Sequence, residues 1–402
     1  MTTVTTVTAV TKDAYQQIFT LSMLSNLAAR LAGPPAALQQ QLANELSAYL
    51  GNDEVRAAIG PWSVVWGPAV WQDPDRGSTV IDNAMYVAHR RGVVFPHGVV
   101  RDTYVVAVMA TNPSSRYAWL QEDFRVFQAV EFAGYDPRGG PPVQGEPTPR
   151  KAFVSMGTAT GLHHVVHDLI PPAGAPGAGT DIVTFLQGRS DAADATIVFT
   201  GHSLAGALAP TLALWLHELG ALAPFHTAYV YPTAGATPGN AAYSLAFRVA
   251  FPPTRSGDQP WQVWNRLLWN SLDVVPHAWH VSDLSEAKTL YGNAPIKEIS
   301  AALDAGIVDS LASGMDYTRL PNATLPGTLM THNPYTGTTL VVPPVTAKDY
   351  VAQALGYQHV YAYRDIIGIE LPSLDVPLVP GVSHVKPPWE AAAHDPAATI
   401  PS

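Results

Sequence analysis

The chain contains no cysteine. It can therefore form no disulfide, no thiolate metal site and no thiol nucleophile. Charge is also scarce: Asp, Glu, Lys and Arg together make up 13% of the residues, against 47% hydrophobic ones, so the chain can bury a large core and is far from a disordered composition. Basic residues are the rarer sign, 22 against 32 acidic, for a net charge of −10 with no basic run. Phosphate neutralisation has no footprint here, and nucleic acid is not an expected partner. No uninterrupted apolar stretch approaches the roughly 20 residues that span a bilayer. The first residues, Met1 to Gln17, carry no positive charge before Lys12 and no continuous apolar segment, so they do not read as a secretory leader. As written, the chain is expected in the cytoplasm, or outside the cell if a leader has been trimmed from it.

What is present has order. Ile18, Leu21, Leu24, Leu27 and Leu31 recur at helical spacing before the break at Gly33-Pro34-Pro35, which predicts an N-terminal helical layer or cap over residues 12–60. Pro61 to Trp71 is rich in Trp and Val. Strand-like runs follow at Ala84–His89, Val93–Phe95 and Thr103–Met109, the last almost wholly apolar, as in a strand covered on both faces. Residues 134–149 hold too much Gly and Pro for a regular element. Beyond them helix and strand alternate: helix near 158–170, strand at Ala195–Thr200, helix at Leu204–Gly220 and strand at Ala228–Tyr231. That alternation predicts one α/β domain over residues 1–402, with a mostly parallel central sheet flanked by helices. Residues 283–345 read as an insertion, and 372–402 as a Pro-rich surface tail.

The informative stretch runs from Thr196 to Pro210. A β-branched apolar strand leads straight into Gly201-His202-Ser203-Leu204-Ala205-Gly206, and an apolar helix follows. A nucleophile elbow needs this context, because the turn is too tight for side chains beside the serine and the hydroxyl must stand above the sheet. The helix N-terminus adds N–H groups and partial positive charge where an oxyanion would form. An ordinary strand-to-helix turn with a capping serine has a similar pattern, and Ala205 stands where the motif has Gly. In an α/β-hydrolase the acid follows the serine and the histidine comes last. Asp273, in Asn270-Ser271-Leu272-Asp273-Val274-Val275-Pro276, is the candidate acid, although an Asp opening a proline turn reads alike. Among 14 histidines, His359 in the late segment Tyr357-Gln358-His359-Val360 is the candidate base. His384 and His332 are its rivals, while His202, His277 and His280 lie too close in sequence to the other two members.

These stretches, with Val105–Thr111, Trp119–Asp123, Val154-Ser155-Met156-Gly157 and Thr233–Asn240, match in order the motifs of the fungal-type (class 3) lipases, and the chain resembles that family over roughly residues 84–370. The resemblance implies the α/β-hydrolase fold, carboxylic ester substrates such as acylglycerols, and contact with a lipid interface. It further implies that Thr111 and the Leu204 N–H form the oxyanion hole, and that a lid lies between Trp119 and Arg150. Met109 and Ala110 replace the family's Arg-Gly, and Pro210 interrupts the nucleophile helix. The alternatives are a short-chain, feruloyl or polyester esterase, or an inactive hydrolase-like binding protein. No cofactor is expected. His163 and His167 share a helix face, but no Glu stands between them as in zinc peptidases, so they are read as a packed cluster and not as a metal site.

Overall fold

The structure is a computed structural model and describes residues 10–75, 78–115, 118–123 and 125–385. Three N-terminal helices, α1 (Ala14–Ser25), α2 (Pro35–Gly51) and α3 (Asp53–Ile59), precede the first strand. Each has a physical start signal. Asp13 and Gln16 form a capping box for α1, Pro35 occupies the first position of α2, and the Asn52 side chain accepts two N–H groups of α3.

Seven strands form one sheet: β1 (Ser63–Trp71), β2 (Asn83–Val94), β3 (Val100–Val108), β4 (Ala195–His202), β5 (Thr227–Thr233), β6 (Leu267–Asn270) and β7 (Asn322–Leu325). Their order across the sheet is their order in the chain. The pairs β1–β2 and β2–β3 are antiparallel, while every pair from β3 to β7 is parallel. This is the α/β-hydrolase architecture, a mostly parallel sheet between helices. The run Ala84–His89 and Val93–Val94 of the next run belong to one long strand, β2, interrupted by a bulge between Arg90 and Val93, and Phe95 lies just beyond its end. The segment 283–345 does more than interrupt the alternation, since it supplies the outer strand β7, parallel to β6.

The apolar run of β3 serves both faces through its period of two. Tyr104, Val106 and Val108 join the core formed with α4 (Met156–His163) and α5 (Leu204–Glu218). Val105, Ala107 and Met109 join the second core, formed with α1, α2 and α3. The N-terminal helices thus cover the sheet face opposite α5. Helix α1 reaches the edge where the strands finish: Ser25 Oγ donates to the Val108 carbonyl at 2.9 Å, the Ala110 N–H donates to Asn26 Oδ1 at 2.8 Å, and the Phe19 ring centroid lies 6.5 Å from that of His202 at the end of β4.

Residues 134–149 form an irregular loop, as their composition dictates. The tail turns back to the N-terminal layer, where Ser383 and His384 pair with Ala32 and Leu31. The expectations on residues 1–9, on the last part of the tail (386–402) and on the Trp119 and Phe124 side chains within the anticipated lid lie outside the described residues. Among those described, no helix is long and apolar enough to cross a membrane.

Candidate active site

The turn between β4 and α5 places Ser203 at φ 60°, ψ −127°, a left-handed conformation that a side-chain-bearing residue adopts only under constraint. The constraint is visible in its neighbours. A Cβ on Gly201 would lie 2.4 Å from the Ala205 carbonyl oxygen, and one on Gly206 would lie 2.4 Å from the Thr233 carbonyl oxygen. The helix start is therefore pressed against the strand ends, and glycine is required at 201 and 206. Ala205 is fully buried and its methyl group occupies the space beside Gly201, so the departure from Gly at this position fits the turn. Helix α5 continues through Pro210, which cannot supply the N–H that would otherwise bond to the Gly206 carbonyl.

Ser203, Asp273 and His359 meet at the C-terminal edge of the sheet. His359 Nε2 is 2.8 Å from Ser203 Oγ, and His359 Nδ1 is 2.9 and 3.0 Å from the two Asp273 oxygens. A carboxylate can only accept, so Nδ1 carries the proton and Nε2 is the acceptor for the serine hydroxyl. Asp273 is wholly buried and well supplied with donors. Its Oδ1 also accepts from the Val275 N–H at 3.0 Å and its Oδ2 from the Tyr363 hydroxyl at 2.7 Å. The Tyr363 oxygen in turn accepts the Asn270 N–H at 2.9 Å. Tyr363 stands four residues after His359, on the helix α6 (Tyr361–Ile367), so both arms gripping Asp273 come from one short segment.

The other histidines take different places. His277 Nδ1 donates to the Asp273 main-chain carbonyl at 2.8 Å, and His280 pairs with Asp283. His384 is exposed on the tail strand and His332 is exposed beside Thr339. His202, buried in the elbow, lies 2.6 Å through Nε2 from the His359 carbonyl and 2.9 Å through Nδ1 from Thr233 Oγ1.

Thr111 follows the end of β3. Val108 there pairs with Gly201, two residues before Ser203, so Thr111 and the N-terminus of α5 share one sheet edge. The Thr111 hydroxyl donates to Asp123 Oδ2 at 2.9 Å. Desolvation pushes the Asp123 carboxyl up to about 7, against the lowering pull of the Thr111 hydrogen bond and the His359 charge. Its neighbour Glu122 is buried and held well above the usual carboxylate range by desolvation. Met109 and Ala110 are both buried, and their N–H groups are taken by the Ala84 carbonyl and by Asn26.

Tyr363, His202 and the Thr111–Asp123 contact escaped the sequence reading. The signals were slight: Tyr363 lies one helical turn past a candidate base, and Asp123 closes the segment Trp119–Asp123 that resembles a family motif.

Lipases are among the solved structures similar to the chain. M37 lipase matches with a TM-score of 0.66 and 26% identity, covering 88% of this chain and 92% of its own. The lipase of Rhizopus microsporus var. chinensis has a TM-score of 0.37 and 17% identity, over 68% of this chain and 72% of its own. Rhizomucor miehei triacylglyceride lipase has a TM-score of 0.38 and 17% identity, over 65% and 74%. These last two are too remote to bear on the site. No protein-family model and no curated protein matches the chain.

Proposed function

We propose that the chain is a serine carboxylic ester hydrolase that works through an acyl-enzyme, with Ser203 as nucleophile, His359 as general base and acid, and Asp273 as the residue that orients the imidazole. The observation that carries this reading is the continuous hydrogen-bonded line from Ser203 Oγ through His359 to a buried Asp273. The likeness to M37 lipase across nearly the whole chain supports the reaction class.

In this mechanism Ser203 Oγ attacks the ester carbonyl carbon while its proton passes to His359 Nε2. The resulting imidazolium is stabilised by Asp273, which itself stays ionised. The carbonyl oxygen, now negative, takes hydrogen bonds from the Leu204 N–H at the α5 terminus and from Thr111, in the manner of an oxyanion hole. Return of the proton to the leaving alcohol frees it. Water, deprotonated by His359 in turn, then releases the acid and restores Ser203.

The substrate class that fits best is an acylglycerol or a related apolar ester met at a lipid interface. Among the described residues, 12–60, the anticipated cap, reach the site through Ser25 and Asn26 and through Phe19, whose ring centroid lies 6.5 Å from that of His202, so their part in shaping the acyl pocket would act through Ala110 and the elbow. The test is labelling by a fluorophosphonate, with peptide mapping, beside hydrolysis of p-nitrophenyl esters of increasing chain length. Wild type should label at Ser203 and favour medium or long acyl chains. Ser203→Ala should lose labelling and about 10⁶-fold in activity while melting cooperatively. Labelling elsewhere would remove Ser203 from the chemistry, and an unlabelled, inactive wild type would favour a binding protein on a hydrolase frame.

A further inference from the structure

A second cluster of functional groups lies outside the serine site. Helix α4 ends at His163 and passes into a wider π-helical turn, His164–Asp168. The wider turn stacks the His163 and His167 rings at 4.8 Å between centroids, with 21° between their planes. Asp168 follows directly. The metal-ligating atoms of His163, His167 and Asp168 all lie within 4.8 Å of one another.

The hydrogen bonds around the cluster decide which lone pairs remain. His163 Nδ1 is 2.6 Å from the Pro137 carbonyl, which can only accept, so Nδ1 bears the proton and Nε2 the lone pair. Among the described residues no hydrogen bond reaches that Nε2. His167 Nδ1 is 2.8 Å from Asp168 Oδ1, and the other Asp168 oxygen takes His164 Nδ1 at 2.6 Å. Metal-binding histidines are held in this way, one ring nitrogen fixed by a carbonyl or carboxylate and the other left to coordinate.

We infer that His163, His167 and Asp168 form a binding site for a divalent cation of the zinc class, with His163 Nε2, a ring nitrogen of His167 and an Asp168 oxygen as ligands. Imidazole donors with one carboxylate suit Zn²⁺, Cu²⁺ or Ni²⁺ and not Mg²⁺ or Ca²⁺, which take oxygen. Ligand atoms around a tetrahedral ion stand about 3.4 Å apart, given bonds of about 2.0–2.2 Å, so a modest rotation of His167 closes the set. The His167 side chain is 50% exposed and can make that rotation, whereas His163 is buried and serves as the anchor. The exposure also provides an entry path and leaves room for water as the fourth ligand. Because His163 grips Pro137, an occupied site strengthens the tie between α4 and the Gly/Pro-rich loop at 134–149.

The test is titration of the metal-free full chain with Zn²⁺ against a chromophoric chelator, paired with thermal melts with and without Zn²⁺. Wild type should bind one equivalent and melt higher with zinc, and Mg²⁺ should do neither. His167→Ala, at a half-exposed position, should melt like wild type without zinc, Asp168→Asn should still melt cooperatively although it removes the carboxylate that His164 uses, and both should bind zinc at least about tenfold more weakly, with a smaller melting shift. Should His167→Ala fail to melt cooperatively, His167→Gln takes its place under the same criteria. A wild type that does not compete with the chelator, or variants that bind as wild type does, would overturn the site. Because the readout is metal binding and not ester hydrolysis, the result is independent of the serine mechanism.

Discussion

His202 donates from Nε2 to the main-chain carbonyl of His359 at 2.6 Å, joining the turn at Ser203 to the segment that carries His359 across 157 residues of sequence. Its environment keeps it neutral. Desolvation, then the His359 charge, lowers its value to about 3, so it has one donor and one acceptor at any working pH. The acceptor, Nδ1, takes the Thr233 hydroxyl. Removing this ring leaves the His359 carbonyl without its donor and frees the base to shift. His202→Ala should lower kcat by about 10–100-fold, the scale of a displacement near 1 Å, with little change in KM and no change in the shape of the pH–rate profile. An unaltered kcat in a folded variant would show that His359 is positioned by other contacts.

The base itself separates two histidines. His359→Ala should cost at least about 10⁴-fold in kcat, as expected when a member of a triad is removed. His384→Ala, on an exposed strand paired with Leu31, should change activity less than about tenfold. Steady-state kinetics on a soluble ester measures both, and the opposite ranking would move the base to the tail.

The glycines of the elbow should not be equivalent to the alanine between them. Gly206→Ala drives a methyl group into the Thr233 carbonyl, a backbone atom that cannot swing aside, and should destabilise the protein by roughly 1–3 kcal/mol or more and abolish activity. Ala205→Gly only empties a small buried space and restores the common motif, so activity should remain within about tenfold. Denaturant unfolding with an ester assay tests the contrast. A stable, active Gly206→Ala variant would mean that the elbow relaxes more readily than its packing indicates.

Asp123 gives a pH signature. Its folded-state value of about 7 exceeds the ordinary 3.8, so folding favours the protonated form. The stability this brings is complete below the unfolded value and drains away as pH rises to about 7, by at most about 1.4 kcal/mol per pH unit. Asp123→Asn keeps an oxygen for the Thr111 hydroxyl but removes the titration. Its stability should therefore gain on wild type as pH climbs from about 5 to about 7 and hold a constant offset above that. Parallel stability profiles across this range would show that Asp123 is ionised throughout.

What the sequence determined by itself is local. The β-branched run from Thr196 into Gly201, the small residues around Ser203 and the apolar helix after it lie within about fifteen residues, where steric limits and propensity act directly. The nearly all-apolar stretch Tyr104–Met109 and the leucine stripe of α1 likewise declared a sheet buried on both faces and a helical layer beside it. The tertiary structure decided what depends on contacts between distant segments. Residues 63–71 became a strand because β2 offered an edge, and 322–325 joined the sheet through β6. Sequence order proposed Asp273 and His359 as partners, but the hydroxyl of Tyr363, the carbonyl grip of His202, the Asp123 acceptor for Thr111 and the Asn26 cap on Ala110 arise only when the strand ends converge. The same holds for the turn that stacks His163 on His167 beside Asp168. A hydrogen bond across a hundred residues leaves no periodic trace in the sequence, because it is selected by the packing of both segments and not by the conformational preferences of either.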